Sequence, residues 1–318
     1  MTTLATSASG PAVGPTSRGR RPGSRRRSLV PWLLLSPAVA VLLVLTGYPL
    51  VKLVITSTQR YGRAQVFGQP PEFVGLDNYT RVLTDPQFWR VLARSVVFCG
   101  VNVALTMTLG MLVALLITRL GRAMRLLVTV GLLLAWAMPA LTAIVIWSWM
   151  FDSQYGVINW LLSAAGLDYG GHSWLLNPIS FFAVATVVIT WQSVPFVAFT
   201  LYAGLTQVPS DVLEAAQIDG ANARQRFRLI IVPFIKPILL IVTVLQVIWD
   251  LRVFTQIFAL QDAGGITEKT STIGVYIYQV GVAQGRFDVG STIAVIMVVM
   301  MLAASFFYVR QIVRQEDA

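Results

Sequence analysis

Long apolar stretches separated by short polar segments run through this chain. Four stretches contain no charged residue: 95–118, 126–151, 179–208 and 289–309. The stretch 29–55 is interrupted only by Lys52, and the stretch 237–260 only by Asp250 and Arg252. Because a helix needs roughly 20 apolar residues to cross a bilayer, the pattern predicts an all-α polytopic membrane protein with six transmembrane helices at these positions.

Basic residues are distributed unequally between the segments that connect the predicted spans. The side with both chain termini holds an arginine-rich cluster at 18–27 and then Arg119, Arg122, Arg125, Arg224, Arg226, Arg228, Lys236, Arg310 and Arg314. The opposite side holds Arg60, Arg63, Arg81, Arg90, Lys269 and Arg286. Because Lys and Arg accumulate in short cytoplasmic loops, we expect both termini and the loop 209–236 to be cytoplasmic.

Composition agrees with a membrane protein. Only 12% of the 318 residues are charged and the mean hydropathy is +0.70, whereas soluble domains carry about 25% charged residues. The net charge of +10 lies mainly in the N-terminal tail and the cytoplasmic loops, where it suits anionic lipid headgroups and predicts no nucleic-acid binding. We expect a disordered basic tail at 1–28, a six-helix transmembrane domain at 29–312 and a cytoplasmic tail at 313–318.

The loop 209–236 lies between the fourth and fifth predicted spans and begins with the pattern of a short helix. Pro209 ends the preceding span, and Ser210 or Asp211 can cap the new helix by accepting a backbone N–H bond. A narrow stripe of small side chains then recurs at helical spacing: Val212, Ala215 and Ala216. Small side chains allow a partner surface to approach closely.

A glycine turn follows this first helix. Gly220 permits the left-handed backbone conformation that ends a helix and turns the chain. A second helical piece is predicted at 222–232, and Pro233 and Pro237 should close it before the fifth span. Together the two pieces predict a compact cytoplasmic elbow.

Two interpretations of Glu214 are open from the spacing alone. Glu214 follows Asp211 by three residues, so the pair can form a local capping box that stabilises the helix by roughly 1 kcal/mol. Alternatively, Glu214 and Asp219 can pair with basic groups on a partner protein.

The elbow resembles the signature loop of the membrane subunits of ATP-binding-cassette (ABC) importers, E-A-A-x3-G-x9-I-x-L-P. The matching positions are Glu214, Ala215, Ala216, Gly220, Ile230 and Pro233, and Val232 stands where the family has Leu. The segments 73–79, 155–159 and 203–205, and the set Trp191, Pro195 and Phe196, are similar to the maltose or glycerol-phosphate branch of sugar importers. The third external loop is similar to the first of the two permeases in that branch, although Thr255 and the run 260–265 depart from its pattern.

The resemblance implies a type I importer permease fold in a bacterial inner membrane. It implies that the elbow docks into an ATP-hydrolysing subunit through Val212, Glu214, Ala215, Ala216, Asp219, Gly220 and Pro233. It also implies the partners: a second homologous permease, two copies of the ATPase and an extracytoplasmic solute-binding protein that delivers a sugar. ATP and Mg would be bound by the ATPase, and no cofactor by this chain.

Polar residues within the predicted spans are candidates for the solute pathway, because ionisable groups are costly in a bilayer. Gln246, Trp249 and Asp250 lie three and four residues apart and are expected on one helical face. Trp191 and Gln192 form a second group in the fourth span. An alternative is that Asp250 and Arg252 bond neighbouring helices or reach the outer interface.

Recognisable catalytic chemistry is missing from the sequence. There is no Walker A motif, and the single Cys99 and single His172 give no disulfide, metal site or catalytic triad. We therefore expect a non-catalytic subunit, and the resemblance implies a channel subunit that forms half of a translocation pathway for a sugar or related carbohydrate. The alternative is an ion-coupled secondary transporter that acts without an ATPase and uses Asp250 as a proton or sodium site. A membrane-embedded enzyme is a third possibility that lacks a catalytic constellation.

Overall fold

A computed structural model describes residues 30–316 of the chain. The predicted tail at 1–28 therefore lies outside the described residues, as do residues 317 and 318. The chain divides into two units, one ending at Leu50 and the other beginning at Val51. Both are built from helices, in agreement with the predicted all-α class.

The described part of the first unit, from Val30 to Leu50, is apolar and helical with one irregular turn. Helix α1 spans Val30–Leu42, a π-helical turn spans Leu43–Gly47, and α2 spans Tyr48–Ser57 and so enters the second unit. The π-helical turn is closed by the Tyr48 N–H, which donates to the Leu43 carbonyl, directly before Pro49. A proline ring clashes with the carbonyl four residues earlier. The wider turn gives Pro49 that room.

The segment between α2 and the second long helix is well structured. It contains β1 (Gln59–Arg60), α3 (Arg63–Val66), β2 (Glu72–Phe73) and α4 (Asp77–Thr84). The strands pair antiparallel, with Gln59 opposite Phe73 and Arg60 opposite Glu72. Buried Asn78 donates from Nδ2 to the carbonyls of Ser57 and Gln59 and so ties α4 to the strand.

The remaining helices follow in order. They are α5 (Pro86–Arg119), α6 (Arg122–Ala137), α7 (Ala140–Met150), α8 (Val157–Ala164), α9 (Pro178–Leu205), α10 (Ser210–Ile218), α11 (Ala223–Arg226), a π-helical turn (Phe227–Ile231), α12 (Val232–Leu251), α13 (Thr255–Asp262), α14 (Thr267–Thr270), α15 (Ile273–Tyr278), a π-helical turn (Gln279–Ala283) and α16 (Phe287–Glu316). The second and sixth spans are thus longer than the predicted 95–118 and 289–309.

Five helices within the described residues are long and apolar enough to cross a membrane. A sixth crossing is obtained if α6 and α7 are counted as one span, but these two helices are bent by 101°. The segment predicted as the span 126–151 is therefore divided into two helices. Pro139 explains the bend, because it lacks an N–H donor and its ring forces Met138 out of the helical conformation.

The predicted fifth span at 237–260 is also interrupted. Helix α12 begins earlier, at Val232, and ends at Leu251, and α13 begins at Thr255. The Val253 carbonyl accepts a bond from Thr272 Oγ1 at 3.3 Å instead of continuing the helix. A contact across the fold, between the end of α12 and the start of α15, therefore stabilises the break.

The segment 152–178 contains one short helix, α8. The backbone N–H groups of Tyr155 and Gln154 donate to the Asp152 carboxylate and hold the pKa of that carboxyl below its usual range. Asn159 then fixes the segment, since its side chain donates to the His172 carbonyl at 2.9 Å and accepts from Trp174 Nε1 at 2.6 Å.

The segment 261–288, predicted from the sequence as the third external loop, is not a simple loop. It contains α14, α15 and a continuous apolar helical stretch, Ile273–Ala283. Buried Gln261 donates to the hydroxyls of Thr270 and Ser271 at 3.0 and 3.3 Å, which fixes α14 against α13. The sequence did not predict this helix because glycine and polar residues divide the apolar run.

Helices α5 and α9 form the centre of the second unit. They approach closely at Gly110, where an added Cβ would lie 2.5 Å from Val197 Cγ1. Helix α12 packs beside them through buried Ile235 and Val242, in a cluster with Val197. The elbow and the polar residues of the predicted spans are both attached to this three-helix core.

Candidate functional site

The elbow has the turn that its sequence predicts. Gly220 follows α10 with φ of +83°. Its N–H donates to the Gln217 carbonyl at 3.1 Å, and the Ala221 N–H donates to the Ala216 carbonyl at 2.9 Å. This pair of bonds is the Schellman arrangement, which satisfies carbonyls at the end of a helix. No atom lies within 4 Å of an added Cβ at Gly220, so the backbone conformation alone requires glycine here.

The start of α10 differs from the prediction. Pro209 occupies the cap position with extended backbone, and neither Ser210 nor Asp211 caps the helix. Because α10 already begins at Ser210, Asp211 lies inside the helix, too late to act as its cap. A capping box between Asp211 and Glu214 is therefore not formed, and the local interpretation of Glu214 is wrong.

A capping box does occur, but in the second helix of the elbow. The Asn222 N–H donates to Gln225 Oε1 at 2.8 Å, and the Gln225 N–H donates to Asn222 Oδ1 at 2.9 Å. This reciprocal pair fixes the start of α11 immediately after the glycine turn. Both sides of the turn are thus satisfied by local hydrogen bonds.

The exposed side of α10 is more apolar than predicted. Val212 is 44% exposed and Ile218 is 87% exposed. Ala215 lies exposed between them, three residues from each, whereas Ala216 is half-buried. Sequence reasoning missed Ile218, because the predicted stripe stops at Ala216, four residues after Val212, and Ile218 lies six residues after Val212. The available signal was an isoleucine two residues before Gly220.

Glu214 lines a cavity of about 560 Å³ beneath the elbow. Three arginines also line it: Arg119 at the end of α5, and Arg224 and Arg226 in α11. Glu214 makes no ion pair or side-chain hydrogen bond with another residue of 30–316. The carboxylate is exposed and remains available to a partner's basic group or to these arginines.

The second half of the elbow does not stop at the prolines. Helices α11 and α12 are joined by the π-helical turn Phe227–Ile231, and Pro237 lies inside α12. The prediction that Pro233 and Pro237 close a short helix is therefore wrong. The Val232 N–H donates to the Phe227 carbonyl, and this wider turn accommodates the ring of Pro233.

Residues from three helices meet at a small cavity of about 260 Å³ near the C-terminal end of α12. Gln192, Trp249, Asp250 and Gln256 line it. The Gln192 side chain donates to the Met138 carbonyl at 3.3 Å and accepts from Gln256 Nε2 at 3.3 Å. The structure thus brings together three of the five predicted pathway residues. Gln256 was not predicted.

The other two predicted pathway residues, Trp191 and Gln246, are not part of the cavity lining. Trp191 packs edge-on against Trp147 with ring centroids 5.8 Å apart, outside the cavity lining. Gln246 is only 1% exposed, whereas Trp249 is 39% exposed. The spacing of three and four residues keeps these side chains on one side of α12, but only Trp249 is exposed there. Successive helical positions turn by about 100°, so Trp249 projects to one side of the buried pair.

Gln246 and Asp250 form a buried polar pair. Asp250 is 4% exposed, and Gln246 Nε2 donates to Asp250 Oδ1 at 3.1 Å. Among the described residues, Gln246 Oε1 and Asp250 Oδ2 have no hydrogen-bond partner. Cys99 Sγ lies 3.7 Å from the Val247 carbonyl, so α5 packs against this level of α12. No group of three His, Cys, Asp or Glu side chains within 30–316 could hold a metal ion.

Trp249 presents an aromatic surface close to this cavity. Its ring centroid lies 5.0 Å from that of Phe196, and Phe196 stacks with Trp136 at 6.5 Å. The amide groups of Gln192 and Gln256 lie at the same cavity. Arg252 lines the cavity as well, so an aromatic face, two amides and a guanidinium lie together where a polyhydroxylated molecule can stack and form hydrogen bonds.

A family model and several curated proteins match this chain, and they all describe membrane components of transport systems. Residues 106–316 match the model of the binding-protein-dependent transport system inner membrane component. The diacetylchitobiose uptake system permease protein DasB of Streptomyces coelicolor is 42% identical over 298 residues, which cover 93% of this chain and 90% of that protein. The trehalose/maltose transport system permease protein MalF of Thermococcus litoralis is 32% identical, with 90% and 94% covered.

A solved structure has a similar fold. A chain of the bacterial alginate ABC transporter, crystallised in complex with alginate pentasaccharide-bound periplasmic protein, has a TM-score of 0.74 and 22% sequence identity. The match covers 89% of this chain and 93% of that chain. It confirms the predicted permease fold.

Proposed function

Since the chain belongs to the family of binding-protein-dependent transport system inner membrane components, we propose that it forms half of the translocation pathway of an ABC importer for a sugar or related carbohydrate. The chain itself is the channel-forming subunit. A second, homologous permease completes the pathway, two copies of a separate ATPase bind ATP and Mg, and an extracytoplasmic binding protein delivers the sugar.

The elbow is the observation that carries this proposal. Helix α10 is a short exposed helix with an apolar face, fixed between α9 and α12 by the turn at Gly220. Val212, Ala215 and Ile218 provide a surface that a groove on the ATPase can bury, and Glu214 and Asp219 lie beside it for charged contacts. The secondary-transporter alternative gives this surface no role.

Two observations support a carbohydrate as the substrate: the residues that line the cavity at Trp249, and the names of the related proteins. Trp249 offers an aromatic face, and Gln192, Gln256 and Asp250 offer groups that bond hydroxyls. The printed names of the relatives include transport systems for diacetylchitobiose and trehalose/maltose. We therefore infer a substrate with sugar rings. The proposed orientation puts the elbow and both termini in the cytoplasm and the cavity toward the outside.

Charge reversal at Glu214 tests the proposal. Glu214→Arg should abolish uptake of a radiolabelled disaccharide and reduce the ATPase recovered with the affinity-tagged chain, because the new charge opposes the partner's basic groups. Glu268→Arg, an equally exposed reversal in the third external segment, should leave ATPase recovery unchanged. Normal uptake and ATPase recovery with Glu214→Arg would contradict the docking assignment. Transport by the chain alone in liposomes under an ion gradient would favour the secondary transporter.

A further inference from the structure

A large apolar groove lies between α5 and α9, at the end of these helices opposite the elbow. Its volume is about 980 Å³, and its walls include Val97, Phe98, Val101, Phe182, Ala183 and Val187. The rings of Phe98 and Phe182 contact each other with centroids 5.1 Å apart. This groove is separate from the elbow cavity and from the cavity at Trp249.

Two cations lie at the groove, and no carboxylate lines it. Arg94 of α5 and Lys269 of α14 are the charged residues of its lining. Neither forms an ion pair with another residue of the described part of the chain. Arg94 is half-buried and donates to the backbone carbonyls of Ser271 and Glu268, at 3.0 and 3.5 Å. These neutral acceptors leave its positive charge without a counter-ion.

The depth of Arg94 matches the headgroup level of a bilayer. The 34 residues of α5 rise about 1.5 Å each and span about 51 Å. The hydrocarbon core is only about 30 Å thick, so about 10 Å of helix projects at each end if the helix is centred. Arg94 lies about 12 Å from the start of α5. The cation is therefore near the boundary between acyl chains and phosphates, and the apolar walls extend below it.

We propose that this groove binds an anionic diacyl phospholipid from the leaflet opposite the elbow. The phosphate lies between the Arg94 guanidinium and the Lys269 ammonium, and an acyl chain lies along Phe98 and Phe182. Charge complementarity supports this occupant, because the single negative charge of a phosphodiester can be shared between the two cations while the acyl chains fill the apolar groove. An apolar helix of a second subunit would fill the groove but leave Arg94 unneutralised.

A bound lipid also affects how the structure holds together. Arg94 connects α5 to the backbone of α14, because its guanidinium reaches the Ser271 carbonyl. A phosphate that contacts Arg94 and Lys269 adds a second connection between α5 and α14. We therefore expect anionic lipid to raise the thermal stability of the chain, in addition to being retained during purification.

The test uses the full chain in nanodiscs of phosphatidylglycerol or of phosphatidylcholine with the same acyl chains. Native mass spectrometry measures the retained lipid, and a thermal scan gives the unfolding midpoint. We expect preferential retention of phosphatidylglycerol and a higher midpoint with it. Lys269→Gln should weaken phosphatidylglycerol binding about fivefold, the effect of one basic residue at a membrane surface. Ala183→Trp should fill the groove and abolish specific retention.

Matched controls separate this site from general lipid contacts. Arg81→Gln removes an exposed cation on α4, and Val96→Trp adds the same bulk on another face of α5; both should retain lipid like the parent. Equal retention of the two lipids, or parental retention by Lys269→Gln and Ala183→Trp, would overturn the proposal. Loss of a co-purifying second permease by Ala183→Trp, with lipid unchanged, would identify the groove as a protein interface.

Discussion

Two glycines illustrate different requirements at the scale of single residues. Gly220 has φ of +83° and open space around an added Cβ, so its backbone conformation is what matters. Gly110 lies in a regular helix, where an added Cβ would meet Val197 at 2.5 Å. The first glycine shapes the elbow, and the second allows α5 and α9 to approach each other.

Gly220→Ala should weaken the elbow without any steric clash. The left-handed conformation costs an alanine about 1–2 kcal/mol, so the turn should open more often and uptake should fall. Gly220→Asn should be milder, since asparagine tolerates this conformation better. Initial uptake rates and limited proteolysis of the loop measure the effect. Gly121→Ala is the control, because Gly121 has an ordinary φ of −64° and equally open surroundings; an equal loss in both variants would contradict the argument.

Trp249→Ala should weaken substrate binding with little effect on folding. Trp249 is partly exposed and contacts Phe196, and loss of an aromatic contact of about 0.5–1.5 kcal/mol should raise the KM of uptake about 2- to 12-fold. Trp149→Ala is the matched control, because Trp149 lies 73% exposed on α7 and outside the cavity at Trp249. If both variants had the same KM, Trp249 would have no role in the pathway.

The candidate site was predictable where its geometry is local. The turn at Gly220 depends on hydrogen bonds to residues three and five positions away, which one motif contains. The cavity at Trp249 depends on Gln192 and Gln256, which are separated by 64 positions. No local pattern shows that these two amides meet. For the same reason the sequence grouped buried Gln246 with exposed Trp249.

At the scale of elements, the apolar runs located the spans but not their interruptions. Hydropathy counts apolar residues, and Pro139 is one residue in an otherwise apolar run. Its effect is a 101° bend between α6 and α7. The end of α12 required a distant partner as well, because the Val253 carbonyl bonds Thr272. Helix ends set by tertiary contacts could not be predicted from composition.

Gly110→Ala should disturb the packing of α5 on α9. The added methyl group meets the β-branched Val197, which is stiff in a helix, and overpacking of this kind typically costs about 1–3 kcal/mol. Gly100→Ala on the same helix meets no atom within 4 Å and should be neutral or stabilising. Thermal unfolding midpoints in detergent distinguish them. An unfolding midpoint for Gly110→Ala at or above that of Gly100→Ala would contradict this prediction. It would mean that α5 and α9 accommodate the added methyl group without a loss of stability.

At the scale of the whole molecule, the orientation of the spans in the membrane is predicted from the distribution of basic residues. This orientation requires a direct test. Five helices qualify as spans, and the bent pair α6–α7 provides the sixth crossing if it counts as one. An even number of crossings brings both termini to the same side. The distribution of Lys and Arg then predicts that this side is the cytoplasm.

Cysteine labelling can establish the orientation. Cys99 is the only cysteine and is buried, so the native chain should react little with a membrane-impermeant maleimide. A cysteine at exposed Gln154 should be labelled in intact cells, whereas one at exposed Gln217 should be labelled only after the membrane is opened. Labelling of both in intact cells, or the reverse order, would contradict the proposed orientation.

The continuity of α11 and α12 has a mechanical consequence. Gly204 on α9 leaves room for Ile238, whose Cδ1 lies 2.8 Å from an added Cβ, and this close contact can serve as a fulcrum. Asn222 lies about 24 Å to one side of it and Trp249 about 16 Å to the other. A rigid tilt would swing the two ends in opposite directions, the outer end about two thirds as far. A movement of the elbow would then produce a smaller movement of Trp249 in the opposite direction, with a correspondingly larger force.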